Sequence, residues 1–251
     1  MDPLAFQRLN PALQRSGHLS AAVLGLFTQP SRVVAVRQLS IRFRHITLDA
    51  GPAATVQWMP GHRLLVAVSG MKTRAYSPFT IDFEPGRLEL LAYLNGDAPA
   101  AVWARTLQPD VACRVIGPCR SVQLNELQRP VLLFGDETSF GTALAMRATP
   151  RRWANVHFVF EVNDLADSRN VLRQLNLVDV DLIERRTDGA HVADIVATLF
   201  RALESEPTVQ FVLTGHADAL PHLGRALKQR GVAASHLRIK AHWATGKRGM
   251  S

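Results

Sequence analysis

The chain has 251 residues, 47% hydrophobic and 20% charged, enough to enclose a large core and too apolar for a disordered chain. Its formal charge of +8 points to anionic partners. Two cysteines, Cys113 and Cys119, exclude a disulfide framework or zinc knuckle, and the histidines show no metal-ligand spacing, so no protein-bound metal is expected.

In chain order, residues 1–31 read as an N-terminal helical extension broken at Pro11 and Pro30. The apolar run Ala21–Phe27 is far short of the ~20 residues that span a bilayer. No leader pattern is visible, and a cytoplasmic protein is expected. From Val33 to Val122 short stretches alternate apolar and polar residues: "VVAVRQLSIRFRHITL", "ATVQWM", "HRLLVAV", "RAYSPFTIDF", "RLELLAYL" and "ACRVIG". Turn residues separate them, at Gly51-Pro52, Pro60-Gly61, Pro85-Gly86, Pro109-Asp110 and Gly117-Pro118. This is the pattern of an antiparallel β-barrel or sandwich, predicted over 32–127. One interruption, "APAAVWARTL", is rich in helix formers and carries Pro99 at a tolerated first-turn position.

After Pro130 the rhythm changes. "VLLFG" is a continuous buried-strand run, followed by the helical spacing of "ETSFGTALAMRA". "NVHFVFEV", a polar helix near Asp164–Gln174, "VDVDLIER", "AHVADIVATLFRAL", "TVQFVLTG", "HADALPHLGRALKQRG" and "HLRIKAHWA" continue the series. Strands alternating with helices predict a parallel-sheet α/β nucleotide-binding domain over 128–251, ending in a basic tail. The basic residues are spread over predicted strands and helices without an arginine-rich arm or interleaved aromatics, so nucleic acid is not the expected partner.

Four segments carry a resemblance. Arg74-Ala75-Tyr76-Ser77 resembles the Arg-x-Tyr-Ser/Thr flavin motif of the ferredoxin-reductase superfamily, whose order is barrel and then α/β domain. "NGDAPAAVWA" (Asn95–Ala104), "FGDETSFGTALAMRA" and "LRIKAHWATGKRG" resemble three segments of the siderophore-interacting proteins, the flavin-dependent ferric-siderophore reductases of that superfamily. The sequence differs from their pattern at Asn95, Ala98, Cys119-Arg120-Ser121, Phe140-Gly141 and His216.

The resemblance implies FAD as cofactor, NADH or NADPH as electron donor and a ferric siderophore or other iron chelate as acceptor, in a monomer without a membrane span. Tyr76 would stack on the isoalloxazine, Ser77 would face its redox edge and Arg74 would grip the phosphates. The helix expected near Ala98 would receive the pyrophosphate at its free N–H groups, with Asn95, Gly96, Ala98, Ala100 and Ala101 allowing close approach and Trp103 packing the helix. The same residues also suit an ordinary barrel strand and a helix capping a barrel. Asp136, Glu137 and Thr138 lie at the carboxyl end of a strand, where open α/β sheets bind ligands; they would face the nicotinamide or cap the next helix. Glu161 would meet a ribose hydroxyl, or Arg151 and Arg152 a 2′-phosphate. Lys247 and Arg248 would seat the anionic chelate, with Arg37, Arg42 and Arg44 as further candidates. The flavin performs the chemistry, so no proton-transfer catalyst is expected. A general flavin reductase or electron-transfer component, and a non-catalytic flavin- or chelate-binding member, are the alternatives.

Overall fold

The computed structural model describes residues 28–51, 57–69, 72–82, 84, 86–96, 99–127, 130–149 and 155–244. Seven strands form one antiparallel sheet: β1 (Gln29–Gln38), β2 (Phe43–Asp49), β3 (His62–Ser69), β4 (Lys72–Tyr76), β5 (Pro78–Asp82), β6 (Arg87–Tyr93) and β7 (Ala112–Arg120). Their order is β4-β3-β7-β1-β2-β6-β5. The two edge strands, β4 and β5, are consecutive in the chain and separated by Ser77 alone. The sheet must therefore curl until its edges meet at Ser77, as a twisted sheet closing into a barrel does. Alternating residues fill the interior: Val33, Ile46, Leu48, Leu64, Val66, Leu88, Leu90 and Val115 are all 0% exposed.

Two stretches that read as single strands are broken here. "VVAVRQLSIRFRHITL" folds back at Leu39–Arg42 into the β1–β2 hairpin, and "RAYSPFTIDF" is cut at Ser77, where Pro78 has no N–H to continue a ladder. Conversely, Gly117-Pro118, expected as a turn, stays inside β7, and Cys119 pairs with Arg63 of β3.

Helix α1 (Pro99–Thr106) starts with Pro at the position whose N–H has no helical partner. Its other end is capped by a distant side chain. Arg44 Nη1 of β2 donates to the carbonyls of Ala104 (2.5 Å), Arg105 (2.9 Å) and Leu107 (3.2 Å). Cationic donors there satisfy orphan carbonyls and oppose the negative helix end.

The second sheet has five parallel strands, β8 (Val131–Gly135), β9 (Val156–Val162), β10 (Val180–Glu184), β11 (Gln210–His216) and β12 (Leu237–Trp243), ordered β10-β9-β8-β11-β12. Helices α2 (Phe140–Arg147), α3 (Leu165–Gln174), α4 (His191–Ser205) and α5 (Ala219–Gln229) connect them. β8 is buried at every residue, as a strand covered on both faces must be. The order reverses between β8 and β11, making their carboxyl ends the topological switch point. Both sheets are those expected from the sequence. Among the described residues no helix is long and apolar enough to cross a membrane.

The two sheets share one apolar core. Phe43 of β2 stacks on Phe140 of α2, with ring centroids 5.6 Å apart and planes 5° from parallel. Leu39, Phe79, Leu124 and Leu127 join Leu133, Phe158 and Val212 in the same cluster. Burying such side chains contributes about 2 kcal/mol each. Polar ties flank the core: Ser40 Oγ donates to Asp167 Oδ2 (3.0 Å), and Gln174 Nε2 donates to the Leu39 carbonyl (3.1 Å).

Candidate functional site

The candidate cleft is the junction where the barrel closes against the parallel sheet. Ser77 Oγ lies 3.0 Å from Thr142 Oγ1 of α2. Gly141 presses on the same residue so closely that a Cβ would sit 2.7 Å from the Ser77 carbonyl oxygen. Two hydroxyls share one mutual bond, which leaves one hydroxyl proton for a ligand.

On the barrel side, Arg74 and Tyr76 pair with Val66 and Leu64 of β3 and share one face of β4. Tyr76 is half-buried and its ring lies 5.7 Å from that of Trp103, tilted by 41°. Burial pushes its phenol above the usual range. Arg74 donates Nη1 to the neighbouring Thr73 carbonyl at 2.7 Å, one of five N–H donors on a guanidinium. Ala75 is exposed on the opposite face. Through Trp103, β4 meets α1, whose Ala100 is half-buried and Ala101 buried. Before α1, Asn95 and Gly96 are exposed; Gly96 adopts a φ of +58°, and its carbonyl accepts from Arg105 Nη2 at 2.9 Å. The structure thus brings Arg74, Tyr76 and Trp103 together. Ala98, Lys247 and Arg248, like Arg151 and Arg152, lie outside the described residues.

On the sheet side, Asp136 follows β8 and is 0% exposed. It caps a single 3-10 turn, Glu137–Ser139, accepting from the Thr138 backbone N–H at 2.9 Å. The Thr138 hydroxyl reaches the same carboxylate oxygen, and Trp243 Nε1 donates to the other at 2.7 Å. Asp136 is therefore consumed by protein donors, and capping is the role the geometry gives it. Gly215, with φ +108°, passes so close that a Cβ would lie 2.8 Å from Asp136 Oδ2. Beyond it, the His216 and Trp243 rings are 4.3 Å apart.

Glu137 turns away from the ligand side. It is 3% exposed, accepting from the Asn163 backbone N–H at 2.7 Å and from the Tyr93 hydroxyl of β6 at 3.1 Å, across the domain junction. Burial pushes its carboxyl above the usual range. Glu161, expected to meet a ribose, is likewise enclosed: Arg185 Nη2 and His191 Nε2 each lie 3.3 Å from its carboxylate. Its exposure of 3% removes it from ligand contact. Of the three arginines offered as further candidates for an anionic chelate, two are also occupied. Arg44 caps α1, and Arg42 lies 4.0 Å from Asp164, while Arg37 stays exposed.

Three further basic residues, Arg63, Lys240 and His242, interact electrostatically with one another. Arg63 of β3 is 4% exposed, and its Nε has no hydrogen-bond partner. Burial lowers its pKa, and burial together with Arg63 lowers that of Lys240 on β12. His242 is held below its usual range by burial, with Lys240 and Arg63 adding to the effect and Asp136 opposing it. Sequence reasoning did not assign Arg63, Lys240 or His242. Arg63 sits in an apolar strand, "HRLLVAV", and only the tertiary structure brings it within electrostatic reach of Lys240 and His242.

Residues 128–246 match the family model described as "Siderophore-interacting protein". The match covers the parallel-sheet half of the chain. The resemblance drawn from "FGDETSFGTALAMRA" and "LRIKAHWATGKRG" falls largely within that segment. Over more of the chain, a siderophore-interacting protein from Acinetobacter baumannii is similar at 15% identity and a TM-score of 0.71, with 88% of this chain and 91% of that one covered. A ferredoxin NADP+ reductase from Neisseria gonorrhoeae, solved with bound FAD and NADP, is 13% identical with a TM-score of 0.68, covering 86% and 99%. Full-length CYP116B46 from Tepidiphilus thermophilus is 18% identical, with a TM-score of 0.68 over 86% of this chain, which spans 29% of that one. At these identities the likeness is one of fold: a barrel followed by a parallel-sheet domain, as in ferredoxin reductases. No curated protein sequence matches.

Proposed function

We propose that the chain is an FAD-dependent NAD(P)H oxidoreductase that delivers electrons to a ferric siderophore or similar anionic iron chelate. The observation that carries this reading is the convergence of Arg74, Tyr76 and Trp103 of α1 on the barrel face, beside the Ser77–Thr142 junction. The residues suit the cofactor. Arg74 has one N–H committed to the backbone and others to offer phosphates. Tyr76 and Trp103 supply aromatic surface, and the start of α1, with Asn95 and Gly96 exposed ahead of it, can accept a diphosphate. FAD, once bound, would accept a hydride from NADH or NADPH and release electrons singly.

The protein's own part is placement. Ser77 and Thr142 would offer a hydroxyl proton to the ring edge. Asp136 would hold Thr138 and Trp243 at the carboxyl ends of the sheet, where the nicotinamide would enter. Arg63 and Lys240 would draw an anionic acceptor to the same opening, a part the sequence also offers to Lys247 and Arg248. Among the described residues no carboxylate pairs with Arg63 or Lys240, which favours an anionic chelate over neutral acceptors.

The test is direct. The purified protein, incubated with FAD, should show a bound-flavin visible spectrum that bleaches on anaerobic addition of NADH or NADPH, and a ferric chelate should restore it faster than free flavin or quinone does. Arg74→Ala should weaken FAD binding roughly 10- to 100-fold, the loss of one or two charge-assisted hydrogen bonds. A protein that stays colourless with FAD would end the proposal.

A further inference from the structure

β12 leaves its register with β11 at the end of the ladder. Gly215 stands opposite Ala241, but His216 stands opposite Trp243, so His242 is an inserted residue. A bulge of this kind re-aims side chains that regular alternation would separate. Here it brings two consecutive side chains to one carboxylate, Trp243 directly and His242 through Thr138.

The direction of the second connection follows from proton count. Thr138 Oγ1 contacts Asp136 Oδ1 and lies 3.2 Å from His242 Nδ1. Ionised, the carboxylate can only accept, and a threonine hydroxyl has one proton to give. That proton goes to Asp136, so the proton in the other contact belongs to His242. The chain runs from His242 Nδ1–H to the Thr138 hydroxyl to Asp136. It fixes the neutral imidazole as the Nδ1–H tautomer and leaves Nε2 as a bare acceptor. Among the described residues, none bonds to Nε2.

Charged groups surround the ring from three elements: Asp136 after β8, Lys240 on β12 itself, and Arg63 on β3. Arg63 is only 4% exposed, with an orphaned Nε. Two cations oppose a charge on His242. An oxyanion bound beside them would cancel that opposition.

We propose that His242 is a proton-exchanging residue of the cleft, taking a proton on Nε2 when an oxyanion binds beside Arg63 and Lys240 and passing it to a ligand oxygen as the ligand is reduced. In that step the Nε2–H bond breaks and an O–H bond forms. The electron pair stays on the ring, which returns to its Nδ1–H neutral form and regains a proton from water. The electrons come from NAD(P)H, and only this part rests on the function proposed above. By linkage, a ligand that favours the imidazolium binds more tightly as pH falls.

The test uses the full-length ¹⁵N-labelled chain with citrate as probe. Long-range ¹H–¹⁵N spectra, assigned through the backbone, should show the Nδ1–H tautomer without citrate and a higher titration midpoint with saturating citrate. The citrate Kd should rise about threefold or more from about pH 6 to about pH 8. His242→Gln should abolish that dependence while still binding citrate at the higher pH, and Thr138→Val should remove the tautomer preference. An Nε2–H tautomer, citrate binding that leaves the midpoint unmoved, or no citrate binding would overturn the proposal. Tautomer and midpoint are read on the unsubstituted chain, so they survive a variant that fails to fold. None of these measurements uses flavin or an electron donor. A chain that shows them but oxidises no NAD(P)H would retain His242 and lose the reductase reading.

Discussion

Trp243, the last residue of β12, donates its indole N–H to Asp136 Oδ2 at 2.7 Å, reaching across the end of the intervening strand β11. The crossing needs Gly215 beneath it, since any Cβ there would meet the same carboxylate. This bond locks the outer strand of the sheet to the turn after its central strand. Asp136→Ala would strand the Thr138 N–H and the indole N–H, at about 2–4 kcal/mol by urea denaturation. Asp136→Asn can direct an N–H at the indole N–H, so it should cost more in the parent than in Trp243→Phe. The two changes together should therefore destabilise by less than their sum. Strict additivity would show that the bond does not form in solution.

Gly141 is the second such point, set by backbone rather than by charge. A methyl group there would meet the Ser77 carbonyl at 2.7 Å, and neither partner is the end of a flexible side chain. Gly141→Ala should therefore push α2 off the point where β4 and β5 meet. Overpacking of this kind costs about 1–3 kcal/mol. Hydrogen exchange should locate the effect: amides flanking Ser77 should lose protection while those of β9 and β10 keep theirs.

How much of this was legible in the sequence depends on whether the cause was local. β8 showed itself in "VLLFG" because a strand buried on both faces has no polar alternation, and Pro99 marked the start of α1. The Asp136 cap was visible as an acid ahead of a helical run. The break at Ser77 was not, because an apolar–polar alternation continues through it and only the closure of the barrel decides that the strand ends. Nor was Arg63: a cation in a strand reads as solvent-facing until the fold shows it buried. Glu161 misled for the same reason, since its partners Arg185 and His191 are distant in sequence and its isolation from the cleft is tertiary.

Arg44 gives a clean separation between ligand binding and capping. Its Nη1 donates to three carbonyls at the end of α1. Arg44→Ala should cost about 1–3 kcal/mol, because partly buried carbonyls lose a cationic donor. The Kd of a ferric chelate, measured on the folded variant well below its melting temperature, should stay within about twofold of the parent, a difference under about 0.5 kcal/mol. A tenfold loss of chelate affinity without loss of stability would return Arg44 to the ligand site.

Glu137 sets a pH signature. Its carboxyl is buried at the domain junction, and burial raises its pKa in the folded protein. Between the unfolded value, about 4.3, and the higher folded one, the folded state binds more protons than the unfolded. The contribution of Glu137 to stability is thus fully present below that window and is lost as pH rises through it. Glu137→Gln keeps a carbonyl to accept from Asn163 and Tyr93 but cannot ionise. Relative to the parent, the variant should gain stability on the order of 1 kcal/mol as pH rises from about 4 to about 7, where one pKa unit corresponds to about 1.4 kcal/mol. Paired urea titrations at several pH values cancel the other carboxylates, which titrate in both proteins. Tyr93→Phe added to the Glu137→Gln variant should then cost about 1–2 kcal/mol at every pH, because its hydroxyl both donates to residue 137 and accepts from Asn163 Nδ2 across the junction. A Glu137→Gln variant that instead loses ground as pH rises would mean that Arg185, 3.9 Å from the carboxylate, outweighs burial and keeps Glu137 ionised.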